Sequence, residues 1–278
     1  MSNPQWYYEV FEYYKFLSIM NFTQAQEVPI LSIKSLSKSF GLQTVLSNVS
    51  LDIHRGQTTA IVGPSGAGKS VLIKLIMGIL APDSGQVFIR GIDMAAKSSE
   101  YEKNKLRQGL SMLFQSAALF DSLTVYENIG FPLSTRLDIK SSEVHDRVMT
   151  LATSLSLNQV LSLYPQQISM GTRKRVGMAR ALVTEPEIIL FDEPNTGLDP
   201  VNGQEVYDLI NECRVKWGFT GLVISHELPE VFQVVDRVAM LLQGIIIKDC
   251  TPTEFAASTI PAVQQFLHGK IDGPINIQ

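Results

Sequence analysis

The sequence predicts an α/β protein built on a mostly parallel sheet, with a helical insertion. Short apolar runs bounded by glycine and proline begin at Ile30 and recur along the chain, as buried strands do. Between them lie stretches of helical periodicity, the clearest of which places one apolar stripe on Val206, Leu209, Ile210, Cys213 and Trp217. Strands that alternate with helices in this way are typical of a parallel sheet covered by helices.

The individual elements follow from the same patterns. Strand-like runs occupy residues 31–36, 45–53, 58–62, 86–90, 111–114, 188–191 and 221–224. A helical pattern begins near residue 71 and carries apolar side chains as far as Ile79. From about Gln115 to Ala181 the strand signal fades and helical stretches dominate, among them 141–155 and 173–183. We therefore expect a helical subdomain of about residues 115–181 inserted into the sheet.

The length and texture of the chain predict its division into parts. The 278 residues fit one large domain, because single hydrophobic cores stop growing at about 250–300 residues. We assign residues 1–28 to an aromatic N-terminal extension, 29–265 to the α/β domain and 266–278 to a C-terminal tail. The extension suits an amphipathic helix on a partner or a membrane surface. It equally fits sequence upstream of a start at Met20, and both interpretations stay open.

Composition excludes several classes of protein. Hydrophobic residues make up 45% and charged residues 18% of the chain, which is globular rather than disordered usage. The net charge of -4 shows no basic excess, so we expect no nucleic-acid partner. Cys213 and Cys250 lack the number and spacing of a disulfide framework or metal site, which indicates a reducing compartment. The apolar runs are shorter than a membrane span and no secretory signal is visible, so we expect a cytoplasmic protein.

A phosphate-binding loop is predicted at residues 63–70. This segment matches the pattern G-x-x-x-x-G-K-[ST], follows the strand 58–62 and precedes a helix, which is the context that the motif requires. Its glycines let backbone N–H groups point at phosphate oxygens, its lysine reaches the β- and γ-phosphates, and its serine hydroxyl binds Mg²⁺. The predicted nucleotide contacts are Gly63, Pro64, Ser65, Gly66, Ala67, Gly68, Lys69 and Ser70.

Two acids follow the apolar strand 188–191. Open α/β sheets place their ligand sites at the carboxyl ends of strands, where Asp192 and Glu193 would lie. We expect Asp192 to help hold Mg²⁺ and Glu193 to act as the general base that polarises the attacking water. Together with the phosphate loop, this pair predicts nucleoside triphosphate hydrolysis. Small-molecule kinases and GTPases share the loop, so other segments must distinguish them.

Further segments resemble one family, the ATP-binding cassette (ABC) proteins, over about residues 30–267. Gln115 resembles the glutamine that contacts Mg²⁺ and the water and senses the membrane partner. Asp199, in the sequence Gly-Leu-Asp-Pro, resembles the loop that crosses to the other subunit, and His226 resembles the switch histidine that contacts the γ-phosphate. A kinase or a GTPase does not explain these segments together.

The resemblance implies a fold and a set of roles. The expected fold is an ABC nucleotide-binding domain of the P-loop NTPase class, with a RecA-like mixed sheet core, an antiparallel β subdomain and an inserted α-helical subdomain. The implied cofactors are ATP and Mg²⁺. The implied catalytic residues are Glu193, His226 and Gln115, and the implied metal ligands are Ser70, Gln115 and Asp192.

Residues 168–172 stand where the family has its Leu-Ser-Gly-Gly-Gln signature, which closes over ATP held by the other subunit. Ser169 and Gly171 are retained and are predicted nucleotide contacts. Met170 replaces the first glycine and Thr172 the glutamine, so we expect a less close backbone approach and slower hydrolysis. Phe40 stands where family members commonly stack a tyrosine on adenine, and stacking requires only the ring face.

Within the family, segments 115–128, 224–230 and 263–274 resemble the ATPase subunits of Mla phospholipid transport systems. This implies an ATPase homodimer on the cytoplasmic face of the inner membrane, bound to a permease and powering phospholipid transport between the membranes of a Gram-negative envelope. A lipid-binding substrate protein and a small regulatory subunit are further implied partners, and the tail would reach the neighbouring subunit unless residues 270–278 are a frayed terminus. The alternatives are an ABC ATPase for another cargo and, less favoured, a non-transport ABC ATPase.

Overall fold

A computed structural model describes residues 28–95, 100–134 and 139–275, so the aromatic segment 1–27 and both interpretations of it lie outside the described residues. The strands of the described part are β1 (Leu31–Phe40), β2 (Gln43–Ile53), β3 (Thr58–Val62), β4 (Ser84–Ile89), β5 (Ile92–Asp93), β6 (Leu110–Leu113), β7 (Ile188–Asp192), β8 (Thr220–Ser225), β9 (Arg237–Leu242) and β10 (Ile245–Cys250). Its α-helices are α1 (Lys69–Ile76), α2 (Glu100–Arg107), α3 (Val125–Ser134), α4 (Ser141–Ser154), α5 (Met170–Leu182), α6 (Pro200–Trp217), α7 (Pro252–Ala256) and α8 (Pro261–Leu267).

The first sheet is antiparallel, with strand order β2-β1-β4-β5. Leu31 of β1 pairs with Ile53 of β2 on one side and with Ile89 of β4 on the other. Each of these three side chains is buried, because directly paired residues of neighbouring strands project from the same face of the sheet. This sheet corresponds to the predicted antiparallel β subdomain, and it carries Phe40 at the end of β1.

The second sheet is mixed, with strand order β10-β9-β3-β8-β7-β6. Strands β9, β3, β8, β7 and β6 run parallel, and β10 pairs antiparallel with β9 at the edge. Every residue of β3 is buried, as expected for a central strand covered on both faces. Because parallel strands end on the same side, the carboxyl ends of β3, β7 and β8 bring their following loops to one edge. Those loops carry the phosphate-loop motif, Glu193 and His226.

Two clusters of buried apolar side chains lie on opposite faces of the mixed sheet. Along β3, Ala60 and Val62 belong to the first cluster and Ile61 to the second, which follows the two-residue period of a strand. The first cluster joins the sheet to α3, α4, α5 and α6, and the second joins both sheets to α1. The predicted fold class is therefore confirmed, with the helical insertion on one face of the sheet.

The end of α1 differs from the prediction. Gly78 adopts a φ of 65°, a left-handed conformation that commonly ends helices, directly after the C-cap residue Met77. Ile79 lies beyond this stop and is 64% exposed. The prediction from apolar spacing that the helix includes Ile79 is wrong, because the left-handed conformation of Gly78 ends the helix before that residue.

The C-terminal segment folds back on α8. The buried amide of Gln265 donates to the carbonyl of Ile271 at 3.2 Å and to the carbonyl of Ile275 at 3.0 Å. Its oxygen accepts a hydrogen bond from the N–H of Ile275 at 2.7 Å, and the Ile275 side chain is buried. A frayed terminus therefore does not describe the chain up to Ile275, which is held against its own subunit.

Candidate active site

The phosphate loop connects the end of β3 to the start of α1. Gly63, Gly66 and Gly68 have φ values of 149°, 78° and 105°, which residues with side chains rarely adopt. A Cβ atom on Gly63 would lie 2.1 Å from the carbonyl oxygen of Leu241, so the loop approaches β9 too closely for any side chain. The glycines therefore allow the loop to end at the N-terminus of α1, where unpaired N–H groups attract anions.

Lys69 is the first residue of α1 and is almost fully buried. Its Nζ donates to the carbonyl oxygen of Gly63 at 2.7 Å and to that of Pro64 at 3.0 Å. Burial lowers the pKa of Lys69, and the negative charges of Glu193 and Asp192 oppose that shift. Because β3 and β7 flank β8 and end at the same edge of the sheet, the phosphate loop and the acidic pair lie at one site.

Asp192 and Glu193 lie at the carboxyl end of β7. Burial raises the pKa of Asp192, and the neighbouring charge of Glu193 raises it further. Glu193 has a φ of 47°, in the left-handed region that few residues other than glycine adopt, and its N–H donates to the carbonyl of Ile224 at 3.0 Å. Strained backbone of this kind is characteristic of functional sites.

His226 follows β8 and contacts the predicted base. Its Nδ1 lies 3.3 Å from Oε1 of Glu193, and the hydroxyl of Thr196 donates to Oε2 of the same carboxylate at 3.2 Å. The side chains of Glu193 and His226 are 24% and 41% exposed, so water can reach this carboxylate. The structure therefore brings Glu193 and His226 together, and their roles as base and γ-phosphate contact remain predictions.

A buried polar network supports this edge of the sheet. The hydroxyl of Tyr207 in α6 is hydrogen-bonded to Oδ1 of Asn195 and to Oγ of Ser225, each at 3.1 Å. The amide of Asn195 also donates to the carboxylate of Glu227, whose N–H donates to Oγ of Ser225 at 3.0 Å. The network ties the segment after Glu193 to the segment around His226. The sequence does not reveal this network, because its members come from separate segments without a shared motif.

Gln115 is exposed after β6, and its main chain is fixed by a side chain that sequence analysis also missed. The ammonium of Lys174, in α5, donates to the carbonyl oxygens of Gln115 and Pro194. Burial lowers the pKa of Lys174 to about 8. The sequence signal that could have identified Lys174 is its helical spacing. It lies three residues before Gly177 and four before Met178, so it shares the buried face of the helix with them.

The signature segment forms the start of α5. Ser169 is the N-cap: its Oγ accepts a hydrogen bond from the N–H of Thr172 at 3.2 Å and lies 2.9 Å from Oγ1 of the same threonine. Met170 is 44% exposed, and a Cβ atom on Gly171 would meet nothing within 4 Å. Because α5 and α1 cover opposite faces of the sheet, the structure places these residues on a different layer from Lys69.

Phe40 and Asp199 are both exposed, at the end of β1 and after Glu193 respectively. Phe40 is 48% exposed at the end of β1, with the ammonium of Lys38 5.5 Å from its ring centroid. Asp199 is exposed, and with His226 it lines a cavity of about 600 Å³. The contacts of both residues with a nucleotide remain predictions.

The donors predicted for Mg²⁺ fit that ion chemically. Ser70, Gln115 and Asp192 offer hydroxyl, amide and carboxylate oxygens, the ligand type that Mg²⁺ prefers. A cation beside Asp192 would offset the charge of Glu193, which raises the pKa of Asp192. Among the described residues no group of three or more His, Cys, Asp or Glu side chains could hold a metal.

A comparison with known families decides what this site belongs to. The model of the ABC transporter family matches residues 46–196, a span that contains the phosphate loop, Gln115, the signature segment and both acids. The chain belongs to the ABC transporter family. It is an ABC transporter ATPase, which hydrolyses ATP to drive transport, as the sequence predicted.

Three curated relatives extend beyond that span. The chloroplastic protein TRIGALACTOSYLDIACYLGLYCEROL 3 of Arabidopsis thaliana is 40% identical over 262 residues, covering 88% of this chain and 75% of the relative. The intermembrane phospholipid transport system ATP-binding protein MlaF of Escherichia coli K12 is 35% identical over 246 residues, covering 88% and 91%. A probable ribonucleotide transport ATP-binding protein, mkl of Mycobacterium leprae, is 38% identical over 247 residues, covering 89% and 71%.

Two solved structures share the fold of this ABC transporter ATPase. The cbiO1 protein of Clostridium perfringens, part of the ABC transporter complex cbiONQ, superposes with a TM-score of 0.77 at 29% identity, over 84% of this chain and 92% of that one. A dimeric ATP-binding cassette in a post-hydrolysis state with ADP and Pi superposes with a TM-score of 0.70 at 29% identity, over 80% and 98%. Within the part of this chain that the structure describes, no helix has the length and apolar character to cross a membrane.

Proposed function

We propose that this ABC transporter ATPase powers phospholipid transport between the membranes of a Gram-negative envelope. The observation that carries the proposal is the similarity to MlaF, an intermembrane phospholipid transport protein, which covers 88% of this chain and 91% of that protein. The predicted Mla-like segments 115–128, 224–230 and 263–274 support the same cargo. A second candidate is transport of another cargo, because mkl, a probable ribonucleotide transport ATP-binding protein, has similar identity to this chain.

In the proposed reaction, the phosphate loop holds the triphosphate and Glu193 prepares the water. Loop N–H groups and the Lys69 ammonium bind the phosphate oxygens, while Phe40 stacks on the adenine. The Glu193 carboxylate accepts a hydrogen bond from the attacking water and polarises it toward the γ-phosphorus. His226, 3.3 Å from that carboxylate, orients it and contacts the γ-phosphate. Ser70, Asp192 and Gln115 would hold Mg²⁺, which would neutralise phosphate charge when bound.

We infer that the working unit is a homodimer. Ser169 and Gly171 lie on the layer opposite Lys69, so one chain offers the signature segment on a different face from its own phosphate loop. A second copy, arranged as its reciprocal partner, would present these residues to the nucleotide, with Asp199 crossing at the contact. The dimeric cassette with ADP and Pi supports this arrangement. The proposed location is the cytoplasmic face of the inner membrane, bound to a permease, with a lipid-binding substrate protein and a small regulatory subunit as further partners.

The departure at Met170 gives a prediction about turnover. Met170 occupies the first position of α5 and is 44% exposed, so its side chain would stand between the helix N-terminus and the partner's nucleotide. We expect Met170→Gly to raise the ATPase rate of the assembled complex, because the backbone N–H groups could approach the γ-phosphate more closely. The measurement is steady-state phosphate release, with Met178→Leu, at a buried position of the same helix, as the control. An unchanged or lower rate would show that the rest of the site compensates for the substitution.

The cargo and partners are tested by purification from native membranes in a mild detergent. Proteins that accompany the tagged chain are identified by mass spectrometry and bound lipids by extraction, with an untagged strain processed in parallel. We expect a multi-span permease together with phospholipid. A permease accompanied by a solute-binding protein but no lipid would overturn the phospholipid cargo. The absence of any membrane partner would instead favour a non-transport ABC ATPase.

A further inference from the structure

Lys174 is a buried cation that the proposed reaction does not use. It lies in the second turn of α5, and only 1% of its surface is exposed. Lysine is almost never buried to this extent unless its charge has partners, because removal of an ammonium from water is costly. The partners here are backbone carbonyl oxygens, those of Gln115 and Pro194. The unusual burial therefore serves contacts with two particular loops.

The two carbonyls belong to loops that leave neighbouring strands. Gln115 follows β6, and Pro194 comes directly after Glu193 at the end of β7. The parallel ladder joins β6 and β7 as far as the pair Leu113 and Phe191. Beyond this pair the ladder hydrogen bonds end, and the ammonium of Lys174 connects the two chain segments instead.

The position of Lys174 is fixed by the packing of α5. A Cβ atom on Gly177 would lie 2.7 Å from Cδ1 of Leu113 and 3.0 Å from Cβ of Ala117, so the helix rests directly against β6 and the loop after it. Lys174 lies one turn earlier on the same helix face as Gly177. The same helix begins at the N-cap Ser169. One rigid element therefore connects the signature segment with both loops.

We propose that Lys174 is a positioning residue for ATP hydrolysis, which holds the Gln115 and Glu193 loops at a fixed separation and links both to the signature helix. It acts through these loops, since its ammonium contacts their main chain. The inference rests on the catalytic roles proposed above for Gln115 and Glu193. In the proposed dimer, each chain binds a nucleotide at its own phosphate loop and presents its signature segment to the nucleotide of its partner. Lys174 would connect these two parts of one chain.

The test compares variants of the full chain, purified with its native membrane partners, by steady-state ATP hydrolysis. Lys174→Met retains the length and apolar stem but removes the donors, and Lys174→Arg retains the charge and the donors. Arg173→Met is the matched control, because the adjacent Arg173 donates to the carbonyl of Pro165 at 2.8 Å, within the helical layer. Hydrogen exchange of residues 114–118 and 193–197 is measured on the same samples, together with the midpoint of thermal unfolding.

We expect Lys174→Met to lower kcat about 10- to 100-fold, because small misplacements of catalytic groups have effects of this size. KM for ATP should stay within about twofold, since the phosphate loop keeps its own contacts. Exchange should rise in both loops, and the thermal midpoint should change little, because loss of the two hydrogen bonds is offset by loss of the buried charge. Lys174→Arg should recover most of kcat. Arg173→Met should leave kcat and the hydrogen exchange of both loops unchanged.

A kcat of Lys174→Met within about twofold of the parent would overturn the proposal. So would an equal loss in Arg173→Met, or a loss that appears only together with a lower thermal midpoint. If Lys174→Met does not fold, Lys174→Gln replaces it: glutamine keeps a donor but lacks the charge and ends one atom short of the lysine ammonium, so the bridge to both carbonyls should be lost and kcat should fall in the same way. Glu193→Gln is assayed in parallel: turnover at the parental rate in that variant would refute the role of Glu193, a result separate from any outcome at Lys174.

Discussion

Glu193→Gln is expected to lower kcat for ATP hydrolysis by about 100- to 10,000-fold, the range associated with loss of a general base. The substitution retains the shape of the side chain and its hydrogen-bonding reach toward Thr196 and His226, but a neutral amide cannot polarise the water in the same way. ATP binding should be retained, because the phosphate loop is unchanged. The ATP-bound variant should therefore accumulate as a closed dimer. Phosphate release measures the first effect, and size-exclusion chromatography with and without ATP measures the second.

The control for this substitution is Glu143→Gln. Glu143 lies in α4, where its carboxylate pairs with Arg147 at 2.8 Å on the surface of the helical layer. Exposed pairs of this kind contribute about 0–1 kcal/mol, so this variant should hydrolyse ATP like the parent. A Glu193→Gln variant with parental turnover would remove Glu193 from the role of base.

Lys69→Ala is expected to weaken ATP binding about 10- to 150-fold. The ammonium would donate charge-assisted hydrogen bonds to phosphate oxygens, and such bonds contribute about 1.5–3 kcal/mol each. In the structure the same ammonium bonds to the carbonyls of Gly63 and Pro64, so the substitution also loosens the loop. Titration of the purified chain with a fluorescent ATP analogue measures the dissociation constant.

Lys74→Ala is the matched control, because Lys74 lies on the exposed side of the same helix. It removes the same charge from the same element without touching the phosphate loop, so ATP affinity should be unchanged. Equal weakening in the two variants would mean that Lys69 acts through general electrostatic attraction and not through direct contact with phosphate.

The fold could be predicted largely from the sequence because its signals are local. Runs of buried β-branched and aliphatic residues predicted β3, β7 and β8, and each is a strand whose residues are nearly all buried. The prediction was wrong at Ile79, where the left-handed conformation of Gly78 ends α1. Periodicity shows which residues share a face, but it does not show where a glycine stops the helix.

The candidate site also has one part that the sequence predicts and another that only the structure shows. Residues 63–70 and the acids at 192–193 are contiguous in the chain, so their chemistry is visible in the sequence before any contact is known. The contact between His226 and Glu193 and the hydrogen bonds of Tyr207 join segments from different strands and helices. Spacing along the chain does not predict such contacts, because they depend on the order of the strands in the sheet.

The sequence by itself determined that the chain folds around a phosphate loop and an acidic pair at the carboxyl ends of parallel strands. Those features are set by short segments, whose glycines, apolar runs and charges act on their immediate neighbours. Only the tertiary structure decided that Lys174, within a basic run of α5, is buried and bridges the loops after β6 and β7. The reason is physical: a lysine in a helix faces water or the core according to what packs against that helix, and here Gly177 lets α5 approach the sheet closely enough to bury it.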